Sequence, residues 1–242
     1  MAIGIVNSIK LCLVAMLFVI PAGVYASDPP AVLTLAFLHM KPEVGEMAAN
    51  TAWITQAMTV AADYSVDWVL TPELALTGYY FTKKIGTDWI VENDPWVEQL
   101  KQSAARHKQV LFLSHVEKLT GSPNLYNSLF VIDQDGELLG AHHKINTIPI
   151  SEAWSTKGDK ATVLTVGARK VGLLICADAW PAQHAKNLAE QGAELIVSTA
   201  NWGPGKHGPQ DTWEQRSEET GLPVFVNNRT GKEGTLDMAA AI

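Results

Sequence analysis

Cysteine is scarce in this sequence. Only Cys12 and Cys176 occur among the 242 residues, and Cys12 lies inside an apolar stretch near the N-terminus. Because a disulfide needs two thiols, this scarcity excludes a disulfide-stapled scaffold and leaves Cys176 as a single free thiol in the rest of the chain. A free cysteine is either a small buried core residue or a reactive group, and composition alone leaves both interpretations open.

A long hydrophobic run is missing as well. The N-terminal apolar run from Leu11 to Ile20 stops at Pro21 after ten residues, whereas a membrane-spanning helix needs about 20. The basic Lys10 before the run and the V-x-A pattern at residues 24–26 are typical of a secretory signal peptide. We therefore expect residues 1–26 to be cleaved and the product to be exported to the periplasm or the extracellular space; an uncleaved leader is the alternative.

Positive charge is not in excess. The sequence has 18 Lys and Arg against 25 Asp and Glu, a net charge of −7, and no run of basic residues. This composition excludes the electrostatic footprint of a nucleic-acid-binding protein. The 47% apolar content and the lack of repeats, low-complexity tracts or linkers predict one packed domain, residues 27–242.

Short runs rich in Val, Ile and Leu alternate with stretches of helical spacing, which is typical of an α/β fold. A hairpin with a turn at Asp135-Gly136 is expected among them. The predicted strands are Ala31 to His39, Val66 to Leu70, Val110 to Val116, Leu125 to Ile132, Glu137 to Gly140, Val163 to Val166, Val171 to Ile175, Glu194 to Ser198 and Pro223 to Asn227. The predicted helices are Val44 to Tyr64, Pro95 to Lys108, Pro181 to Gln191 and Gln210 to Thr220.

Three reactive side chains, Glu73, Lys144 and Cys176, follow predicted strands. Since α/β sheets gather their loops at the carboxyl ends of strands, these side chains are expected to meet. Singly, each has an ordinary interpretation as a helix-terminal acid, a surface amine and a core residue. Together they form a complete nucleophilic set, because a thiol with a pKa of about 8.5 needs a base to take its proton or a cation to lower that pKa.

Five sequence blocks carry a resemblance to a known family. The blocks are TPELALTGY, HHKINTIPISEAWSTKGD, LLICADAWP, GAELIVSTANW and GLPVFVNNRTG. Their residues and order resemble the carbon-nitrogen hydrolase (nitrilase) superfamily of amidases, nitrilases, carbamoylases and amide-forming acyltransferases, from Ala31 to Gly231. The resemblance implies an α/β fold, specifically an α-β-β-α sandwich with the active site in loops at the edge of the sheets.

The resemblance also implies a role for each matching residue. Glu73 is expected to be the general base, Lys144 the stabiliser of the tetrahedral intermediate and Cys176 the nucleophile. Glu152, eight residues after the lysine, would hold that lysine or position the substrate. The backbone N–H of Ala177 would be the second oxyanion donor. The resemblance implies no metal and no organic cofactor.

The residues after the nucleophile favour an amide substrate. Nitrilases of the family usually carry Trp-Glu there, whereas this chain has Ala177-Asp178. We expect a small-molecule amide, with a nitrile or an N-carbamoyl compound as alternatives. Trp202 and Trp154 are candidates for an aromatic wall around the substrate, although core packing is the other interpretation for both.

The adjacent His142 and His143 invite a metal interpretation. Neighbouring residues on a strand point to opposite faces, and no second cluster of ligands accompanies the pair. We therefore predict no metal site and expect these histidines to be solvated or to contact neighbouring side chains.

The C-terminal segment leaves two further expectations open. Members of the family usually continue past the NRTG-like block with another hairpin, and this sequence ends about a dozen residues after Gly231. A sandwich without its last C-terminal strands would expose an edge that favours pairing, so a homo-oligomer is expected. The alternatives are an inactive binding or assembly protein of the same fold and a lipid-directed acyltransferase; the latter needs membrane helices, which are not predicted beyond the leader.

Overall fold

A computed structural model of the chain describes residues 32–238. The expected signal peptide, residues 1–26, lies outside this part. Among residues 32–238, no helix combines the length and the apolar character needed to cross a bilayer.

Two separate sheets carry the fold. One sheet has five strands in the order β1-β2-β3-β4-β5, and the other has four in the order β6-β7-β8-β9. The strands are β1 (Leu35–Phe37), β2 (Trp68–Leu70), β3 (Val110–Lys118), β4 (Leu125–Ile132), β5 (Leu138–His143), β6 (Thr162–Val166), β7 (Arg169–Ile175), β8 (Leu195–Ala200) and β9 (Val224–Asn228). Strands β1, β2 and β3 are parallel to one another, as are β7, β8 and β9.

Helices cover the outer faces of both sheets. The helices are α1 (Met47–Asp63), α2 (Thr82–Ile85), α3 (Pro95–His107), α4 (Ala182–Glu190) and α5 (Thr212–Thr220). Helix α3 begins where sequence rules place it, since Asp94 accepts hydrogen bonds from two N–H groups of the first turn and Pro95 has no N–H that would need an acceptor.

The alternation of side chains along the strands builds the layers. On β2, Trp68 and Leu70 belong to the core between the sheets, whereas Val69 packs with Ile54 of α1 and Leu100 of α3. On the other sheet, Leu188 of α4 lies against β7. The result is the α-β-β-α sandwich implied by the family resemblance.

The structure differs from the predicted elements mainly in its short pieces. Helix α2 and a 3₁₀ turn at Cys176–Ala179 were not predicted, because four-residue elements carry no measurable periodicity. The second arm of the hairpin runs to His143, so that Lys144 directly follows a strand. A hairpin of β10 (Lys232–Glu233) and β11 (Leu236–Asp237) follows β9.

Strand ends converge on one side of the sandwich. Strand β2 leads to Glu73, β5 to Lys144 and β7 to Cys176, and the N–H of Glu73 donates to the carbonyl oxygen of Ala200 at the end of β8 (3.3 Å). The two sheets therefore deliver the three predicted side chains to a common region.

Gly158 packs closely against the backbone of His143 and Lys144, next to the predicted site residue Lys144. A Cβ added at Gly158 would lie 2.1 Å from the carbonyl oxygen of His143, and the Gly158 N–H donates to the carbonyl oxygen of Lys144 (2.8 Å). We expect Gly158→Ala to lower the free energy of unfolding by about 3 kcal/mol, because backbone must move to admit the methyl group. Urea denaturation measures this loss.

The control for this prediction is Gly121→Ala. Gly121 has a φ of +72° but no atom within 4 Å of an added Cβ, so the expected loss is about 1 kcal/mol from backbone strain alone. Equal losses in the two variants would contradict the role given to close packing at Gly158.

Candidate active site

Glu73 is buried, with both carboxylate oxygens engaged. Its Oε1 accepts hydrogen bonds from Lys144 Nζ (2.6 Å) and Asn127 Nδ2 (2.8 Å). Its Oε2 accepts from the backbone N–H of Asn201 (3.0 Å). Glu73 is therefore held in one orientation by groups from three separate chain segments.

Lys144 lies between two carboxylates. Its Nζ donates to Glu73 Oε1 (2.6 Å) and to Glu152 Oε1 (2.5 Å), and all three side chains are fully buried. Burial alone would lower the pKa of Lys144, but the charges of Glu73, Cys176 and Glu152 outweigh it and raise that pKa above its usual value. The ammonium is consequently a permanent positive charge in the site.

Glu152 is held from its other side by Tyr79. The Tyr79 hydroxyl donates to Glu152 Oε1 (2.7 Å), and the N–H of Ile148 donates to Glu152 Oε2 (2.9 Å). Burial and the nearby Glu73 raise the pKa of Glu152, against the opposing effect of Lys144. Burial also raises the pKa of Tyr79, which keeps its hydroxyl a donor. Glu152, itself held by Tyr79, is thus the second carboxylate that binds the ammonium.

Cys176 occupies a sharp turn directly after β7. Its φ of +50° lies in the left-handed region, which is costly for a residue with a side chain. The residue keeps 5% of its surface exposed, whereas Glu73 keeps 1% and Lys144 none. A molecule that enters the site therefore has more access to the cysteine than to its charged neighbours.

The pKa of the Cys176 thiol is raised. Burial is the main cause, followed by the charge of Glu73; Lys144 and the backbone N–H of Asn201 act in the opposite direction but are outweighed. The free site thus holds a neutral thiol. Of the two activation routes left open by the sequence, this favours removal of the proton by a base over a thiolate preformed beside a cation.

The backbone groups of Ala177 and Asn201 lie next to the Cys176 thiol. The carbonyl oxygen of Ala177 accepts from Asn146 Nδ2 (2.8 Å), and the oxyanion role of its N–H stays a prediction. The side chain of Asn201 is buried, yet neither its Oδ1 nor its Nδ2 has a hydrogen-bond partner in the protein. Buried amides rarely lack partners, which makes Asn201 a candidate for contact with a bound molecule.

The two predicted aromatic residues have different surroundings. The Trp202 indole N–H donates to the carbonyl oxygen of His207 (2.6 Å), and its ring packs edge-on against Trp213. Trp154 packs edge-on against Phe81, and its indole N–H is buried without a protein partner. Packing explains the contacts of Trp202, whereas Trp154 keeps a free donor. A substrate-binding role for either stays a prediction.

The adjacent histidines point to opposite faces, as strand geometry predicts. His142 is fully buried and its Nε2 lies 3.0 Å from Asp178 Oδ2, so that of the two expected surroundings it has contact with a neighbouring side chain. His143 is partly exposed and pairs with Glu117 (2.8 Å). Within residues 32–238, no group of three or more His, Cys, Asp or Glu side chains is arranged to hold a metal ion.

Sequence reasoning missed several residues of the site. Asn127 lies in the middle of β4, where nothing in the sequence marks it as functional. Tyr79 lies inside the TGYY segment, so its position beside Glu73 in the sequence was a usable signal. The Asn201 backbone N–H leaves no trace in the sequence, because every residue except proline has one.

Comparison with known proteins identifies the family. The chain matches the carbon-nitrogen hydrolase family over residues 34–238. It belongs to this family. The protein is thus an amidase-like carbon-nitrogen hydrolase, and the resemblance inferred from the five sequence blocks is confirmed.

Relatives of this hydrolase include a citrullinase from Francisella tularensis, 29% identical over 80% of this chain and 73% of its own length. A probable nitrilase from Schizosaccharomyces pombe is 25% identical over 84% of this chain and 76% of its own. Among solved structures, an amidase from Nesterenkonia sp. superposes with a TM-score of 0.76 at 22% identity, covering 85% of this chain and 79% of that one. The structural likeness confirms the α-β-β-α sandwich.

Lys144→Met tests whether the buried ammonium stabilises the two carboxylates beside it, Glu73 and Glu152. We expect the free energy of unfolding to fall by about 3 kcal/mol near neutral pH, because two buried carboxylates lose their cation. Lys144 lowers the pKa of Glu152, so its removal raises that pKa further. A carboxyl group with a raised folded-state pKa loses its stabilising contribution as pH rises through that pKa. The variant should therefore lose stability more steeply than wild type between pH 5 and pH 8 in urea denaturation.

Lys157→Met is the matched control, because Lys157 is exposed on the same loop between β5 and β6. Its stability should follow that of the wild-type protein across the pH range. If Lys144→Met showed the same pH dependence as this control, the proposed balance of charges would be wrong.

Proposed function

We propose that this protein hydrolyses a small amide to an acid and ammonia or an amine through an acyl-enzyme on Cys176. The observation that carries the proposal is the buried cluster in which Lys144 bridges Glu73 and Glu152 beside a neutral thiol. In this proposal Glu73 is the base, Lys144 stabilises the oxyanion, and Glu152 positions Lys144.

The proposed acylation step uses these residues as follows. Glu73 takes the thiol proton as the sulfur of Cys176 attacks the amide carbonyl carbon, and a C–S bond forms. The Lys144 ammonium and the N–H of Ala177 stabilise the negative charge on the carbonyl oxygen. Glu73 then gives its proton to the amide nitrogen, the C–N bond breaks, and a thioester remains.

Deacylation repeats the same steps with water. Glu73 takes a proton from water, whose oxygen attacks the thioester carbonyl, and the same donors stabilise the second oxyanion. The C–S bond breaks, the sulfur regains a proton from Glu73, and the acid leaves. In this proposal the same four side chains and one backbone N–H serve both halves of the reaction.

Two kinds of support favour an amide substrate over a nitrile. Ala177-Asp178 replaces the Trp-Glu pair that nitrilases of the family usually carry, and a cysteine-to-alanine mutant of the Nesterenkonia amidase of the same fold has been solved in complex with butyramide. An N-carbamoyl compound is the second candidate, because relatives of this chain include a citrullinase and an N-carbamoylputrescine amidase from Arabidopsis thaliana.

Export and self-association belong to the same proposal. The support for export is the apolar run from Leu11 to Ile20 with its flanking residues. The support for a homo-oligomer is that the outer strands of the two described sheets, such as β6 and β9, pair with a neighbour on one side only. Trp202 and Trp154 are proposed to border the bound substrate; of the two, Trp154 has an indole N–H without a protein partner.

An ammonia-release screen tests the proposed reaction. We expect the purified protein to release ammonia from short aliphatic amides at least tenfold faster than from nitriles, with aromatic amides and N-carbamoyl amino acids assayed in parallel. This ratio corresponds to about 1.4 kcal/mol in the transition-state free energy.

Cys176→Ala serves as the blank, and Cys176→Ser tests the nucleophile. Cys176→Ser should abolish turnover while the free energy of unfolding stays within about 1 kcal/mol of wild type. Ammonia release that survives in Cys176→Ala, or no release from any of these substrates by wild type, would overturn the proposal. The latter outcome would favour an inactive binding protein of the same fold.

A further inference from the structure

Asp178 accepts hydrogen bonds from two segments of the site, the one that follows Lys144 and the one that precedes Cys176. Its carboxylate is fully buried. Oδ1 accepts from the N–H groups of Ile145 (3.0 Å) and Asn146 (2.7 Å), and Oδ2 accepts from the N–H of Ile175 (3.1 Å). The ring of His142 completes the set, with Nε2 at 3.0 Å from Oδ2. One carboxylate therefore has four donors around its two oxygens.

These donors flank the two reactive side chains. Ile145 and Asn146 directly follow Lys144, and Ile175 directly precedes Cys176. The carboxylate thus ties the end of β5 in one sheet to the end of β7 in the other. A second link runs in parallel, since Asn146 Nδ2 donates to the carbonyl oxygen of Ala177 (2.8 Å).

His142 links Asp178 to strand β6. Its Nδ1 lies 3.2 Å from Thr162 Oγ1 on β6, so that an Nε2–H donor to Asp178 and an Nδ1 acceptor from the threonine hydroxyl satisfy the whole ring. Burial would raise the pKa of Asp178, but the bond with His142 and the backbone donors hold it below its usual value. The carboxylate is therefore an ionised acceptor in the folded protein.

We propose that Asp178 and His142 are positioning residues that set the location of the Cys176 sulfur relative to the Lys144 ammonium. The N–H of Ile175 bonded to Asp178 restrains the chain just before the left-handed turn at Cys176. Neither residue hydrogen-bonds to the side chain of Glu73 or Lys144, so their effect on position passes through the backbone; the charge of Asp178 also interacts with Lys144. The inference rests on the proposed function for its effect on turnover, but the geometry it describes does not.

Variants of His142 separate positioning from folding. His142→Gln keeps an N–H donor at the distance of Nε2, whereas His142→Leu removes it. We expect His142→Leu and Asp178→Asn to lower kcat about 100-fold, since small displacements of reacting groups have effects of this size. KM should change less than about threefold, and His142→Gln should retain kcat within about threefold of wild type.

His143→Leu is the matched control. His143 is the next residue on β5, points to the opposite face and also pairs with a carboxylate, that of Glu117. Its replacement should leave kcat and KM unchanged. If His142→Leu kept wild-type kcat, or if His142→Gln lost as much activity as His142→Leu, the positioning inference would be overturned.

Alkylation of Cys176 tests the same inference without turnover. Full-length variants with wild-type melting temperatures are treated with iodoacetamide at pH 7.5, and the peptide that contains Cys176 is followed by mass spectrometry. We expect at least tenfold slower alkylation in His142→Leu and Asp178→Asn than in wild type, because a displaced thiol loses its base and cation. An unchanged or faster rate in folded His142→Leu overturns the inference.

The two readouts keep the proposals apart. If wild type releases no ammonia yet its alkylation depends on His142 as expected, the proposed function fails and the positioning inference stands. If wild type is an active amidase, and kcat and the alkylation rate of Cys176 are both unchanged in His142→Leu, the positioning inference fails and the proposed function stands.

Discussion

The rest of the site depends on a single ammonium held between two carboxylates. Lys144 is buried without exposure and has Glu73 and Glu152 within 2.6 Å of its Nζ. Burying an isolated ion costs several kcal/mol in lost hydration, and the opposite charges of this cluster offset that cost for one another. The fold must therefore bring the ends of β2 and β5 and the following loop together accurately.

A neutral thiol beside this cluster decides how chemistry can begin. Burial and Glu73 raise the pKa of Cys176 more than Lys144 lowers it, so in the proposed reaction attack requires transfer of the thiol proton to a neighbouring base. Both oxygens of Glu73 already accept hydrogen bonds, from Lys144 and Asn127 on one and from the Asn201 N–H on the other. These donors orient the carboxylate before a substrate arrives, which spares reorganisation during the reaction.

The reactive residues that follow strands were predicted from the sequence, and Glu152 from the family resemblance, whereas the supporting contacts of Asn127, Tyr79 and the Asn201 N–H were missed. Glu73, Lys144 and Cys176 follow apolar runs whose ends meet in an α/β sheet, and the order of the motif blocks named their family. Strand β4 was predicted with the bounds observed, yet Asn127 within it carried no signal, because its contact with Glu73 depends on tertiary packing. Short elements such as α2 escaped prediction since their sequence is too brief to show a period.

The most direct test of this account is rapid-quench mass spectrometry of the intact protein with a short aliphatic amide. The account predicts a transient mass gain equal to the acyl group, that is, the amide less ammonia, located on Cys176 and absent in Cys176→Ala. Release of ammonia with no covalent intermediate under single-turnover conditions, or acylation of a different residue, would contradict it.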